Sequence, residues 1–224
     1  MPNYCNNTLE VGADPKDREA LKQFEDFVKT SIIEDGERFT FEGVLPMPKE
    51  LDITSPRPRE HEKAQAEANL KKYGHANWYD WRCEKWGTKW DACEAYLNSD
   101  TYHDYVMISF DTAWSPPTAY YEALTKKYPL LSISVEYSEP GMDFAGIEKY
   151  QGGVLMESEE YTHGMYEWLY NKDSWWDNME DNFEEGDWMK DLSDFKDLCG
   201  DIWEIMSKGE RKELKALITQ CQSA

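Results

Sequence analysis

The sequence predicts an α+β fold: one antiparallel sheet of split βαβ topology, with helices on one face and an acidic helical appendage. Three observations carry this prediction. Runs of alternating apolar and polar residues flank amphipathic helical segments in the order strand, helix, strand, strand, helix, strand. A proline- and tryptophan-rich stretch interrupts that order between the second and third strands. Composition then shifts near residue 157. Segment 157–224 carries eighteen Asp and Glu against seven Lys and Arg, a net of −11, and five of the ten tryptophans.

The first strand is Thr8 to Ala13, where Leu9, Val11 and Ala13 alternate with polar positions. Asp14-Pro15 then supplies a cap residue and a proline suited to a first helical turn. Leu21, Phe24, Phe27, Val28 and Ile32 recur at helical spacing, so one face of that helix packs on a sheet, and Gly36 closes the unit. Phe39, Phe41, Val44 and Leu45 read as the second strand, stopped by Pro46 and Pro48. An insertion over about 52–100 follows, with a connector at Ile53–Pro58, a solvated helix at Glu60–Lys72 and an aromatic run through Trp78, Trp81, Trp86, Trp90 and Tyr96. Tyr105–Asp111 alternates as the third strand, and Pro116-Pro117 opens a helix with Tyr120, Tyr121 and Leu124 in the core. Leu131, Ile133, Val135 and Tyr137 form the fourth strand. This order is that of a ferredoxin-like fold. It predicts a domain at 1–156 and an acidic helical region at 157–224. The sheet face without helices needs a cover, and the insertion and the segment after Gly152 are the candidates.

Charge and composition exclude several function classes. With 24 Lys and Arg against 45 Asp and Glu, the formal charge of the 224-residue chain is −21, which opposes direct nucleic-acid binding through phosphates. A charged fraction of 31% beside 14% aromatic residues describes a chain that folds. No apolar stretch approaches the roughly 20 residues of a membrane span, and the first residues lack a signal-peptide pattern, so a cytoplasmic protein is expected. The five cysteines are scattered without a Cys-x-x-Cys pair and read as small apolar residues in a reducing compartment. His61, His75, His103 and His163 form no metal pattern, and no EF-hand, phosphate-binding loop or nucleophile motif occurs. No enzyme, cofactor or metal site is therefore expected, and oligomeric state stays open.

Several tryptophan- and proline-centred strings occur in a fixed order. They are Met1-Pro2-Asn3-Tyr4-Cys5-Asn6-Asn7, Leu45-Pro46-Met47-Pro48, Trp86-Gly87-Thr88-Lys89-Trp90-Asp91, Thr112-Ala113-Trp114-Ser115-Pro116-Pro117, and Glu139-Pro140-Gly141 with Phe144-Ala145-Gly146. As a set they resemble the YubB-like ferredoxin-like family of phage and plasmid proteins, over about residues 1–155. The resemblance implies a ferredoxin-like domain and a mobile-element origin, and it transfers no catalytic residue. The acidic region lies outside it.

That acidic region carries the strongest functional pattern. Trp188, Leu192, Phe195, Cys199, Ile202 and Met206 are spaced as one stripe of a helix, while Asp187, Asp191, Asp194, Asp197, Asp201 and Glu204 fall on a separate face. Successive carboxylates would stand about 4.5–6 Å apart along the axis, comparable to the phosphates of a nucleic-acid strand. Such a row could occupy the basic groove of a host nuclease, restriction enzyme or CRISPR effector. The plainer reading is a solvated face. It must set against itself the few tenths of a kcal/mol lost per like-charged pair at these spacings. Glu180, Asp181, Glu184 and Glu185 extend the surface, with Trp168, Trp175, Trp176 and Trp188 either anchoring a partner or docking the tail on the open sheet face. A second candidate is a pocket for a nucleotide-like anion made by Trp86, Lys89, Trp90 and Trp114. Its plainer reading is core packing, with Lys89 tied to Asp91 or Asp111. The reading that follows is a non-enzymatic anti-defence protein with a basic host protein or nucleoprotein partner. A small-ligand sensor or sequestering protein is the alternative.

Overall fold

The computed structural model describes residues 3–33, 38–52, 55–100, 105–185 and 192–221. Met1, Pro2, Gly36, Ile53, His103, Asp187, Trp188 and Asp191, which the sequence patterns above involve, lie outside the described residues. The chain divides into two compact units, one of 1–142 with 146–160 and one of 143–145 with 161–224. The boundary expected at 156/157 thus falls inside a strand.

In the first unit, β1 (Tyr4–Ala13) turns Cys5, Asn7, Leu9 and Val11 inward and Tyr4, Asn6 and Glu10 outward, as period-two alternation requires. It pairs antiparallel with β5 (Tyr105–Ala113) and with β6 (Leu131–Glu139), placing Leu9 opposite Ile108 on one side and Val135 on the other. Helices α1 (Arg18–Ser31) and α5 (Thr118–Lys127) cover the face these residues share, through Leu21, Phe24 and Val28 and through Tyr120, Tyr121 and Leu124. Each fully buried aliphatic side chain contributes about 1.5–3 kcal/mol.

The second strand of the motif is β4 (Ala92–Asp100), which pairs with β5. Strand order β4-β5-β1-β6 is the split βαβ arrangement of a ferredoxin-like sheet. This corrects the expectation in two places. Of the 39–45 segment only Phe39 is strand, as part of β3 (Arg38–Phe39), which pairs with β4 and with the short β2 (Ile32–Ile33). Beyond it the backbone turns, since Val44 and Leu45 both donate to the Phe41 carbonyl, at 3.0 and 2.9 Å. The sequence places residues 92–100 in the insertion, whereas they form a strand whose alternation is broken by a β-bulge between Cys93 and Tyr96, with Glu94 at φ 51°.

The insertion holds α2 (Lys49–Asp52), α3 (Lys63–Tyr73) and α4 (Trp78–Lys85), the last capped by Asn77, whose side chain accepts from the Asp80 N–H at 3.0 Å. Its rings do not cover the open face. Trp81 packs edge-on to Trp86, Trp86 on Phe41, and Phe41 on Tyr120 of α5, so they extend the helix-side core. On the other face, Thr8, Glu10, Met107 and Ser109 remain partly or fully exposed.

Two further strands, β7 (Phe144–Gln151) and β8 (Val154–Tyr161), complete the sheet as β2-β3-β4-β5-β1-β6-β7-β8. Gly152 and Gly153, at φ 59° and 83°, form the two-residue turn between them, a conformation a β-carbon disfavours. The strand character of 157–161 overturns the expectation that no strand occurs beyond 157. The signal lay in the paired glycines.

The second unit contains α6 (His163–Tyr170), α7 (Lys172–Glu185), α8 (Leu192–Leu198), α9 (Gly200–Ile205) and α10 (Lys208–Cys221). Trp168, Trp175, Met179, Phe195, Ile202, Met206, Leu214 and Ile218 form its core. Trp176 is partly buried against it. These rings therefore build the unit's own interior.

Candidate functional site

The acidic row does not sit on one helix. Cys199, at φ −127° and ψ 38°, leaves helical geometry and Gly200 begins a new helix, so α8 and α9 replace the continuous helix expected. Glycine lowers helix stability at that point by roughly 1 kcal/mol relative to alanine. The apolar half of the pattern is as read: Phe195, Ile202 and Met206 are buried, with Leu192 and Cys199 packed on them. Of the carboxylates, Asp194 is partly exposed, while Asp197, Asp201 and Glu204 are exposed. Glu180, Asp181, Glu184 and Glu185 lie on α7, apart from the row, and Asp187 and Asp191 lie outside the described residues.

Asp201 has a task inside the unit. Its carboxylate accepts from the Thr162 hydroxyl at 2.8 Å and from the Ile202 N–H at 2.9 Å, and Thr162 itself caps α6 by accepting from the Met165 N–H. Glu210 is a charged residue missed in the sequence although the Ser-x-x-Glu signal was present at Ser207–Glu210. Glu210 accepts from the Ser207 N–H at 2.7 Å, its own N–H donates to the Ser207 hydroxyl at 3.3 Å, and Lys172 binds it at 2.6 Å. Lys172 first, then the Ser207 bonds, bring the Glu210 carboxyl down to about 2. This network ties α7 to α10.

The second candidate divides differently from the expectation. Trp86 is fully buried and donates from its indole to the Leu45 carbonyl at 2.9 Å, so it belongs to the core. Lys89, Trp90 and Trp114 do come together: the Lys89 ammonium lies 3.8 Å from the Trp90 ring centre and 3.5 Å from that of Trp114. Loop geometry explains why. Gly87 has φ 86°, and a β-carbon there would stand 3.0 Å from the Pro117 backbone. The Ser115 hydroxyl donates to the Gly87 carbonyl at 3.1 Å, and the Trp114 N–H, at a φ of 70°, donates to the Asn3 carbonyl at 3.0 Å. Three of the strings noted in the sequence thus converge around one cation.

The expected tie from Lys89 to Asp91 or Asp111 is not formed. Asp91 accepts from Arg38 and from the Phe41 N–H, both at 3.0 Å, and Asp111 accepts from the Asn6 amide at 2.6 Å. Among the described residues no carboxylate pairs with Lys89. Desolvation of the ammonium lowers its pKa from the usual lysine value, opposed in part by Cys83.

Buried groups elsewhere favour packing over chemistry. Burial, reinforced by Glu139, pushes the Cys5 thiol up to about 12, and burial pushes Cys199 up to about 11, so neither is an activated nucleophile at neutral pH. Asn7 donates to the Cys5 carbonyl at 2.8 Å and to the Thr112 hydroxyl at 2.9 Å, and it accepts from Tyr121 at 2.7 Å. A depression of about 440 Å³ on the open sheet face, bordered by Glu10, Tyr105, Ser134 and Lys149, was not foreseen. It arises where distant strands come side by side. Among the described residues no three His, Cys, Asp or Glu side chains gather to hold a metal ion, and no helix is long and apolar enough to cross a membrane.

The topology has a counterpart in sequence. Residues 85–189 match the model of the ferredoxin-like domain in Api92-like protein. The chain carries a ferredoxin-like domain. The match opens just before β4 and runs past β8 through α7, so it takes in part of the acidic region. The crystal structure of protein api92 from Yersinia pseudotuberculosis is similar at 11% identity and a TM-score of 0.42, covering 72% of this chain and 98% of that one. No curated protein matches the chain.

Proposed function

We propose that this is a non-enzymatic anti-defence protein of a phage or plasmid, related to the YubB-like proteins. In this reading the acidic outer surface of its helical unit engages a basic, nucleic-acid-binding host protein or complex. The observation that carries the reading is the division of labour in the second unit. Its aromatic and aliphatic side chains close a core of their own, while Asp173, Asp177, Asp197 and Glu204 stand exposed. An array held on a folded scaffold gives faster and more oriented docking to a basic groove than a loose polyanion. The break at Cys199 changes the form of the idea from one straight row to a surface shared by several helices.

The test is binding to purified host nucleases and CRISPR effector complexes, with duplex DNA as competitor. Reversing Asp173, Asp177, Asp197 and Glu204 to lysine should weaken the complex at least tenfold, and DNA should displace the wild-type protein. Binding that survives both rejects the acidic surface as the recognition element.

A second reading has its own observation. The Lys89 ammonium lies between two indoles with no carboxylate partner among the described residues, an arrangement suited to an anion that carries an aromatic ring, such as a nucleotide. A millimolar nucleotide that binds only the folded protein raises Tm by mass action, and Lys89→Ala should remove the rise. No shift with any common nucleotide or cyclic nucleotide ends this reading.

A further inference from the structure

Among the described residues β8 has β7 on one side and no strand on the other. Every side chain from Val154 to Glu160 is exposed, including Val154 at 57%, Leu155 at 42% and Met156 at 61%. A strand edge of this length presents a row of backbone donors and acceptors that an extended segment can complete. Proteins commonly blunt such an edge with charged side chains, lysine above all, with proline or with a bulge. Among residues 154–160 there is no lysine or proline, and the charges are Glu157, Glu159 and Glu160.

Those carboxylates decide what can pair there. A second copy in antiparallel register would bring glutamates opposite or diagonal to glutamates, and like charges in cross-strand positions destabilise pairing. The formal charge of −21 adds long-range repulsion between copies. An extended segment carrying lysine or arginine meets the opposite balance, because cross-strand pairs of opposite charge stabilise a sheet while apolar residues find Val154, Leu155 and Met156. Lys149 bonds Glu157 at 2.7 Å, and the formal charge of residues 154–160 themselves is that of three carboxylates and no cation.

We infer that β8 is a docking edge for an extended, basic segment of a partner protein, which adds to the sheet as a ninth strand. This surface belongs to the first unit and does not depend on the acidic helices.

The probe is a synthetic nine-residue peptide alternating lysine with valine, binding being read by fluorescence anisotropy and by hydrogen exchange of the backbone amides. Two further peptides separate pairing from simple charge attraction: one with N-methyl groups on alternate residues of the same sequence, and one with glutamate replacing lysine. The lysine peptide should bind and slow exchange in 154–160, and both controls should bind at least tenfold more weakly. Glu157→Lys combined with Glu159→Lys should cost at least tenfold, and Ser158→Pro should abolish protection, while Ser158→Ala preserves both binding and Tm. Equal binding of the N-methylated peptide, or protection located elsewhere, overturns the inference. So does sedimentation as a dimer that Ser158→Pro dissolves, since the occupant would then be a second copy.

Discussion

Replacing Phe195 by alanine should destabilise the helical unit selectively and leave the sheet unit folded. Phe195 is fully buried at the centre of a core in which Trp175 meets it edge-on at 6.1 Å, with Ile202, Met206 and Leu214 among the surrounding side chains. A Phe→Ala change in a core costs about 3–5 kcal/mol, the sum of lost transfer energy and the cavity left behind. The segment from Tyr161 to Ala224 has roughly 64 residues. At about 0.05–0.15 kcal/mol per residue, that allows it roughly 3–10 kcal/mol of stability of its own. The cavity therefore removes a third or more of the total, and all of it at the lower end. Hydrogen exchange read by mass spectrometry resolves the two units: amides of 163–221 should exchange much faster, while those of β1, β5 and β6 keep their protection. If the sheet strands lose protection in step with the helices, the division into separately cored units is wrong, and if exchange in the helices does not quicken at all, Phe195 is not at the centre of their core. The same variant tests the proposed function, because an acidic surface that needs its scaffold loses binding with it, whereas a mere polyanion does not.

Three more predictions rest on single contacts. Glu210→Ala should cost about 1–2 kcal/mol by removing a capping box and an ion pair. Because the folded carboxyl lies near 2 against an ordinary 4.5, the contribution of Glu210 is complete above pH 4.5 and fades as pH falls toward 2. Acid titration of wild type and variant, followed by circular dichroism, should show the two curves converging over that window. In the β7–β8 turn, Gly153→Ala should cost more than 1 kcal/mol, since a β-carbon at φ 83° would sit 2.9 Å from Lys126 Cβ. Gly152→Asn, with open space around it and a residue tolerant of positive φ, should cost less than half of that in urea melts. Tyr121→Phe strips the buried Asn7 Oδ1 of its donor at 2.7 Å and should lower stability by about 1–3 kcal/mol in the same assay, without changing peptide binding at β8.

Where alternation was uninterrupted, strands could be read directly. β1, β5 and β6 lie where Leu9, Ile108 and Val135 recur at period two, because the pleat sends neighbours to opposite faces whatever else the chain does. Helix α1 was equally legible from Leu21, Phe24 and Val28. β4 was not, since its bulge shifts the period by a residue and hides a buried face among tryptophans. β8 shows no alternation of burial at all, being an edge with every side chain but the last exposed.

The candidate sites divide on the same line. Spacing of four and three in the tail located the apolar stripe that became a core, and the net charge of the region is a matter of counting. Spacing says nothing about where a helix breaks, so of the described carboxylates in that row Asp194 and Asp197 lie on α8 and Asp201 and Glu204 on α9. Nor does it say which of several rings a cation will meet: Lys89 and Trp114 stand 25 positions apart, and only the closure of Gly87 against Pro117 and of Trp114 against Asn3 sets them 3.5 Å from each other. Periodicity and charge are properties of neighbours along the chain and survive any folding. Contact between remote segments is a property of the folded backbone, which selects one partner from many that the order of residues leaves equally possible.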